Sequence, residues 1–152
     1  MSTTSTKNGT TRRLKLRPIA GTSRYCGPAA IAAIEGVPTD VAAQIIAYAK
    51  CGDARRGRYI RGVHDRHMMN ALRLLGYYVE KTPVWGSPTL RQYVSEEPQR
   101  GYCEIVTVTN HYVVRVGRQI LDNHTKAPKP VTQHWSKGKR VKSVMIVRLP
   151  DA

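Results

Sequence analysis

In CGPAAIAAIEGV a thiol heads an apolar run: Cys26 is followed by Gly27 and Pro28, and then Ala and Ile fill two turns. Pro suits the first turn of a helix and Gly36 suits its end, so the run predicts a short buried helix with Cys26 at its N-terminal edge. Unsatisfied backbone N–H groups and the helix dipole favour thiolate over thiol there, as a nucleophile requires. A nucleophile also needs a base within hydrogen-bond reach, and that base needs an acceptor on its other ring nitrogen. His111 opens the run HYVVRV, the chain turns at Gly117-Arg118, and Asp122 closes the returning run QILD. In a hairpin those two ends are neighbours. Asn123 is a substitute orienter, because an amide accepts the same bond, and His124 is a reserve base. Such a set performs acyl transfer through a thioester, without metal or cofactor. Each residue also has a purely structural reading: free cysteine is often a small buried hydrophobe, and a strand-end histidine often bonds only to backbone. Cys51 and Cys103 take the structural reading.

The elements that must position these groups are legible in order. A second helix is expected from Thr39 or Asp40 as cap, with Val41, Ala42, Ile45, Ile46 and Ala49 on one side, ending near Lys50 to Gly52. DARRGRYIRG reads as a basic surface loop. HDRHMMNALRLLG then places Met68, Met69, Leu72 and Leu75 on one helical face and stops at Gly76. A strand is expected at Tyr77 to Glu80, and SPTLRQYVSE predicts a short fourth helix with a Ser cap and Pro in the first turn. The β-branched runs YCEIVTVT, HYVVRV and QILD predict consecutive antiparallel strands, and a final strand is expected at Ser143 to Leu149. The fold class is therefore α+β, with N-terminal helices packed on a C-terminal antiparallel sheet.

Residues 1–13 are rich in Ser, Thr, Gly and Asn without apolar periodicity and read as a disordered basic tail, leaving 14–152 as one domain. The formal net charge of +15 favours contact with nucleic acid, an acidic surface or a polyanionic assembly. Two clusters carry much of it: Arg55, Arg56, Arg58 and Arg61 in one loop, and Lys137, Lys139, Arg140 and Lys142 in another. Both are candidate phosphate contacts, with Tyr59, Tyr112 and Trp135 available for stacking, although a charge run is most often a solvated loop. Three cysteines without a CxxC pair argue against a disulfide framework or a zinc ribbon and fit a reducing compartment. His64 and His67 could share a metal, but no further ligand sits at informative spacing, so they read as a solvated helix start. No run suits a membrane span or a secretion signal, which makes the cytoplasm the expected location.

The combination of CGPAAIAAIEG, a later HYVV strand and a hairpin partner ending ILDN resembles the papain-like cysteine peptidases over roughly Tyr25 to Trp135. Two branches are similar: the bacteriocin-leader processing peptidases, whose nucleophile also lies in a Cys-Gly-x-Ala helix start, and small phage-encoded papain-like proteins. The resemblance implies a papain-like fold with Cys26 as nucleophile, His111 as general base and acid, and Asp122 as orienter. It further implies a protein or peptide substrate and, for a phage protein, the host cytoplasm or the virion. One departure stands out. Such peptidases place a Gln before the Cys to donate to the oxyanion, whereas positions 20–25 read AGTSRY. Losing one oxyanion donor costs about 100- to 1,000-fold in rate. Thr22, Ser23 and the Cys26 backbone N–H are substitutes. The alternative is a weakly active or inactive papain-like fold that serves as a basic nucleic-acid-binding or virion structural protein.

Overall fold

The computed structural model describes residues 15–21, 25–97 and 102–150. The predicted tail therefore lies outside the described residues. Four α-helices precede or interrupt the sheet: α1 (Cys26–Glu35), α2 (Thr39–Cys51), α3 (Asp65–Leu74) and α4 (Leu90–Glu96). The strands are β1 (Tyr78–Pro83), β2 (Cys103–Val108), β3 (His111–Val116), β4 (Gln119–Leu121), β5 (Lys129–Pro130) and β6 (Val141–Arg148). They form one antiparallel sheet in the order β1-β6-β2-β3-β4-β5. The fold is thus α+β as expected. Strand β1 lies between α3 and α4, where the sequence placed a strand at Tyr77 to Glu80, and runs on to Pro83.

Alternation along the strands explains how one sheet serves two cores. Cys103 and Ile105 of β2, Tyr112 and Val114 of β3, Leu121 of β4, and Met145 and Val147 of β6 pack with α1, α2 and α3. The intervening Val106, Val108, Val113, Ile120, Val141 and Val144 pack with Leu90, Tyr93 and Val94 of α4. A period of two sends successive side chains to opposite faces, so strands buried on both sides read as continuous β-branched runs. Helix α1 is buried from Gly27 to Ile34, which suits a helix lying between α2 and β3. It ends at Gly36, whose φ of 78° is left-handed and whose N–H donates to the Ala32 carbonyl at 2.9 Å.

Two local expectations are corrected. The Arg/Gly-rich segment is a 3₁₀ helix over Ala54–Tyr59 that packs on α2. Gly57 makes this approach close, since a Cβ there would stand 2.8 Å from the Gln44 backbone N and 2.9 Å from its Cα. Gly57→Ala is expected to destabilise the fold by about 1–3 kcal/mol through overpacking, read as a lower urea midpoint at unchanged slope. Helix α4 is capped by Thr89 and not by Ser87. The Thr89 hydroxyl accepts from the Gln92 N–H at 3.1 Å while the Gln92 side chain accepts from the Thr89 N–H at 3.0 Å. Pro88 therefore precedes the helix, and Ser87 sits in the turn before it at a φ of 42°. Among the described residues no single helix is long and apolar enough to cross a membrane.

Candidate active site

Cys26 is the first residue of α1, behind an extended Tyr25, and is partly buried. A Cβ on the following Gly27 would meet Val63 Cγ2 at 2.8 Å, so the small residue lets the 62–64 segment close against the helix start. That segment is tied down further by Tyr112, whose hydroxyl lies 2.5 Å from Asp65 Oδ1 and 3.0 Å from the Val63 carbonyl. An open cleft of about 690 Å³ results, lined by residues that include Cys26, Val63, Asp65, Lys81, His111 and Tyr112.

His111 reaches this cleft because a tight turn at Thr109-Asn110 starts β3 there, with Asn110 accepting the left-handed φ of 55°. The ring lies within hydrogen-bond reach of Cys26. Its Nε2 is 2.8 Å from Asp122 Oδ2, so Nε2 carries the hydrogen and Nδ1 is the nitrogen left to exchange a proton with the thiol. Burial opposes the charged imidazolium, but the bonds to Asp122 and Cys26 more than offset it and raise the His111 pKa to about 9.

Asp122 is almost completely enclosed and is held by donors on both oxygens. Oδ2 accepts from His111 and from the Trp135 indole N–H at 2.9 Å. Oδ1 accepts from the His124 N–H at 3.1 Å, the Thr125 N–H at 3.0 Å and the Thr125 hydroxyl at 3.1 Å. His134 is buried, with Nε2 3.5 Å from Oδ1 and Nδ1 beside Ser136. Burial pushes the carboxyl pKa up, yet the contacts to His111, His134 and Thr125 prevail and hold it well below the usual carboxylate range. Trp135 also packs on His111, with ring centroids 5.4 Å apart.

The pair's contribution to stability has a defined pH window. A histidine raised from 6.5 to about 9 stabilises the fold fully below pH 6.5 and loses that contribution as pH rises through about 9. Asp122, depressed from 3.8, stabilises above that value and loses its contribution as pH falls towards its folded pKa. The difference in unfolding free energy between wild type and His111→Ala is therefore expected to be largest below pH 6.5 and to shrink through pH 9. Urea titrations at a series of pH values would measure it.

No protein-family model and no curated protein matches the sequence. Solved structures do match the fold. A double-glycine motif protease from an AMS/PCAT transporter, determined with its leader peptide, aligns with a TM-score of 0.54 at 18% identity, over 91% of this chain and 95% of that one. The peptidase domain of Streptococcus ComA, a bifunctional ABC transporter of a quorum-sensing pathway, aligns with a TM-score of 0.50 at 12% identity, over 91% and 98%. The fold is that of the papain-like cysteine peptidases.

In this papain-like domain the structure brings Cys26, His111 and Asp122 together. Asn123 is buried next to Asp122, but the His111 bond goes to the carboxylate. The His124 ring stacks on His111 with centroids 5.8 Å apart. Thr22 and Ser23, the candidate oxyanion donors, lie outside the described residues. His64 and His67 have ring centroids 6.0 Å apart, and among the described residues no three His, Cys, Asp or Glu gather as a metal site would require.

The basic residues divide by location. Arg55 pairs with Asp53 at 3.0 Å, Arg56 and Arg58 lie over the exposed Tyr59, and Arg61 donates to the Tyr25 hydroxyl at 2.7 Å. Lys137 donates to the Thr132 carbonyl, Lys139 lies over Trp135, Arg140 donates to the Ser87 carbonyl, and Lys142 is exposed. Sequence reasoning missed the Asp122 cage of Thr125, His134 and the Trp135 indole. Its only signal was a cluster of donor residues in the segment after QILD.

Proposed function

We propose that this chain is a papain-like thiol hydrolase that cleaves a peptide or related amide bond with Cys26, His111 and Asp122. A single observation carries the reading: Cys26 stands within reach of a histidine whose other nitrogen is committed to a buried carboxylate, at the wall of an open cleft. Cys26 Sγ attacks the carbonyl carbon and forms the C–S bond. As the C–N bond breaks, the His111 imidazolium gives its proton to the departing amine. Water then attacks the thioester, His111 takes its proton, and the acid is released with the thiol–imidazole pair restored. Asp122 holds the ring and stabilises its charge without taking the proton. The peptide substrate is supported by the neighbour determined with its leader peptide, and a phage setting by the sequence resemblance alone.

The alkaline limb of kcat/KM is expected near pH 9, because amine departure needs the His111 proton and the rate falls once it is lost. A pH–rate profile on any cleaved peptide would read it.

The decisive test is Cys26 alkylation by iodoacetamide against pH in a Cys51→Ser background, since Cys51 is exposed and Cys103 is buried. A reactive plateau at neutral pH that disappears in His111→Ala supports the reading. Reactivity that climbs only near the free-thiol pKa of about 8.5, with no dependence on His111, overturns it. The second reading, a papain-like fold kept for binding, is favoured by the missing Gln in 20–25 together with the net charge of +15. It would show that second outcome.

A further inference from the structure

Resting on the hydrolase reading, we infer that the substrate is an acidic peptide, drawn to Cys26 by an unneutralised cationic rim formed by Arg61, on the Tyr25 that precedes Cys26, and Lys139, on the Trp135 ring that packs against His111.

The rim follows from which charges are already satisfied. Asp65, the carboxylate that lines the cleft, is bound by Lys81 at 2.7 Å and by the Tyr112 hydroxyl. Burial pushes its pKa up, but those two bonds hold it low, so it remains an anion that is already matched. Asp53 is matched by Arg55, Glu104 by Arg115, and Asp122 by His111. Among the described residues no carboxylate stands within ion-pair distance of Arg61 or Lys139.

Arg61 and Lys139 lie on aromatic rings next to the reacting pair. Arg61 bonds to the hydroxyl of Tyr25, the residue before Cys26, and is followed by Gly62 and Val63 in the cleft lining. Lys139 Nζ is 5.5 Å from the Trp135 ring, and that ring packs on His111. Rings hold the cations in place without neutralising them, so each guanidinium or ammonium keeps donors for an incoming anion.

An extended acidic segment fits both requirements, since it offers carboxylates to the rim and a carbonyl carbon to Cys26. A nucleic acid would meet the rim, but it presents no acyl group for a thiol.

The test compares iodoacetate with iodoacetamide at Cys26 in the full chain carrying Cys51→Ser, with the modified site located by peptide mapping. The two reagents share their chemistry and differ in charge. At low salt the iodoacetate-to-iodoacetamide rate ratio is expected to fall by about two- to threefold for each of Arg61→Gln and Lys139→Gln, and the difference should fade at about 0.5 M salt. Poly-glutamate is expected to protect Cys26 from alkylation at low salt.

A ratio unmoved by both variants, with His111-dependent reactivity intact, overturns the acidic-peptide inference while leaving the hydrolase reading in place. Protection by a DNA oligonucleotide but not by poly-glutamate overturns it in favour of nucleic acid. Reactivity towards iodoacetamide that is indifferent to His111 overturns the hydrolase reading itself.

Discussion

His111→Ala is expected to lower kcat/KM for peptide hydrolysis by about 10⁴- to 10⁶-fold, because in the proposed mechanism one ring serves both chemical steps. In that mechanism it exchanges the thiol proton during attack, supplies the proton to the departing amine, and removes one from the water that opens the thioester. Asp122→Ala should cost less, about 10³- to 10⁴-fold, since the ring survives but loses its orientation and the charge that supports its protonated form. Asp122→Asn is the informative intermediate. An amide has one acceptor oxygen, whereas the structure aims two donors at Oδ2 and three at Oδ1. An Asn that keeps its oxygen towards His111 must turn its NH₂ into the Thr125 and His124 N–H groups. The variant is therefore expected to lose activity and stability together, although Asn is nearly isosteric with Asp. Activity retained at more than a tenth of wild type in His111→Ala would place the base elsewhere, and His124, stacked on the same ring, would be the next residue to replace.

The sequence made the hairpin and its neighbouring ends, His111 and Asp122, legible, but not the geometry that joins them. The ladder pairs Val114 with Leu121 and Val116 with Gln119, a register that, carried onward, sets His124 opposite His111. Asp122 arrives instead on the diagonal, because β4 stops at Leu121 and the chain curls through Asp122 to Lys126, where the Lys126 N–H donates to the Asp122 carbonyl at 3.1 Å. The segment that precedes α1 fixes this curl: the Ile19 N–H donates to the Lys126 carbonyl at 2.8 Å. Such contacts join segments about a hundred residues apart and leave no periodic trace. The helices were legible for the opposite reason. Cys26 to Gly36 and Thr39 to Gly52 carry their start, face and stop signals within a few residues. Gly57 shows the limit of that reading, since its signal is the absence of a side chain where the Gln44 backbone passes, and a sequence cannot say what passes there.

Removing the Glu104 carboxylate is expected to destabilise the fold by about 3–5 kcal/mol, a large share of a typical domain's 5–15 kcal/mol. Glu104 and Arg115 face each other across β2 and β3 and are 3% and 1% exposed, with Oε1 and Nη1 2.9 Å apart. The Tyr93 hydroxyl donates to the other carboxylate oxygen at 2.8 Å, and the guanidinium also donates to the carbonyls of Gly117, Val94 and Glu97. The network thereby fastens α4 to the strand that begins at His111. In Glu104→Ala the guanidinium stays buried among carbonyls without a counterion, the costly half of a broken pair. For a chain of this length the melting temperature should fall by roughly 6–20 °C. Glu104→Leu combined with Arg115→Met removes both charges and should cost less than Glu104→Ala alone, even though it discards more hydrogen bonds. Equal losses from the single and double variants would mean that water reaches Arg115 and that the pair is not part of the core. The ordering expected here would instead make an unmatched charge, and not lost bonds, the reason these two strands carry opposite charges at facing positions.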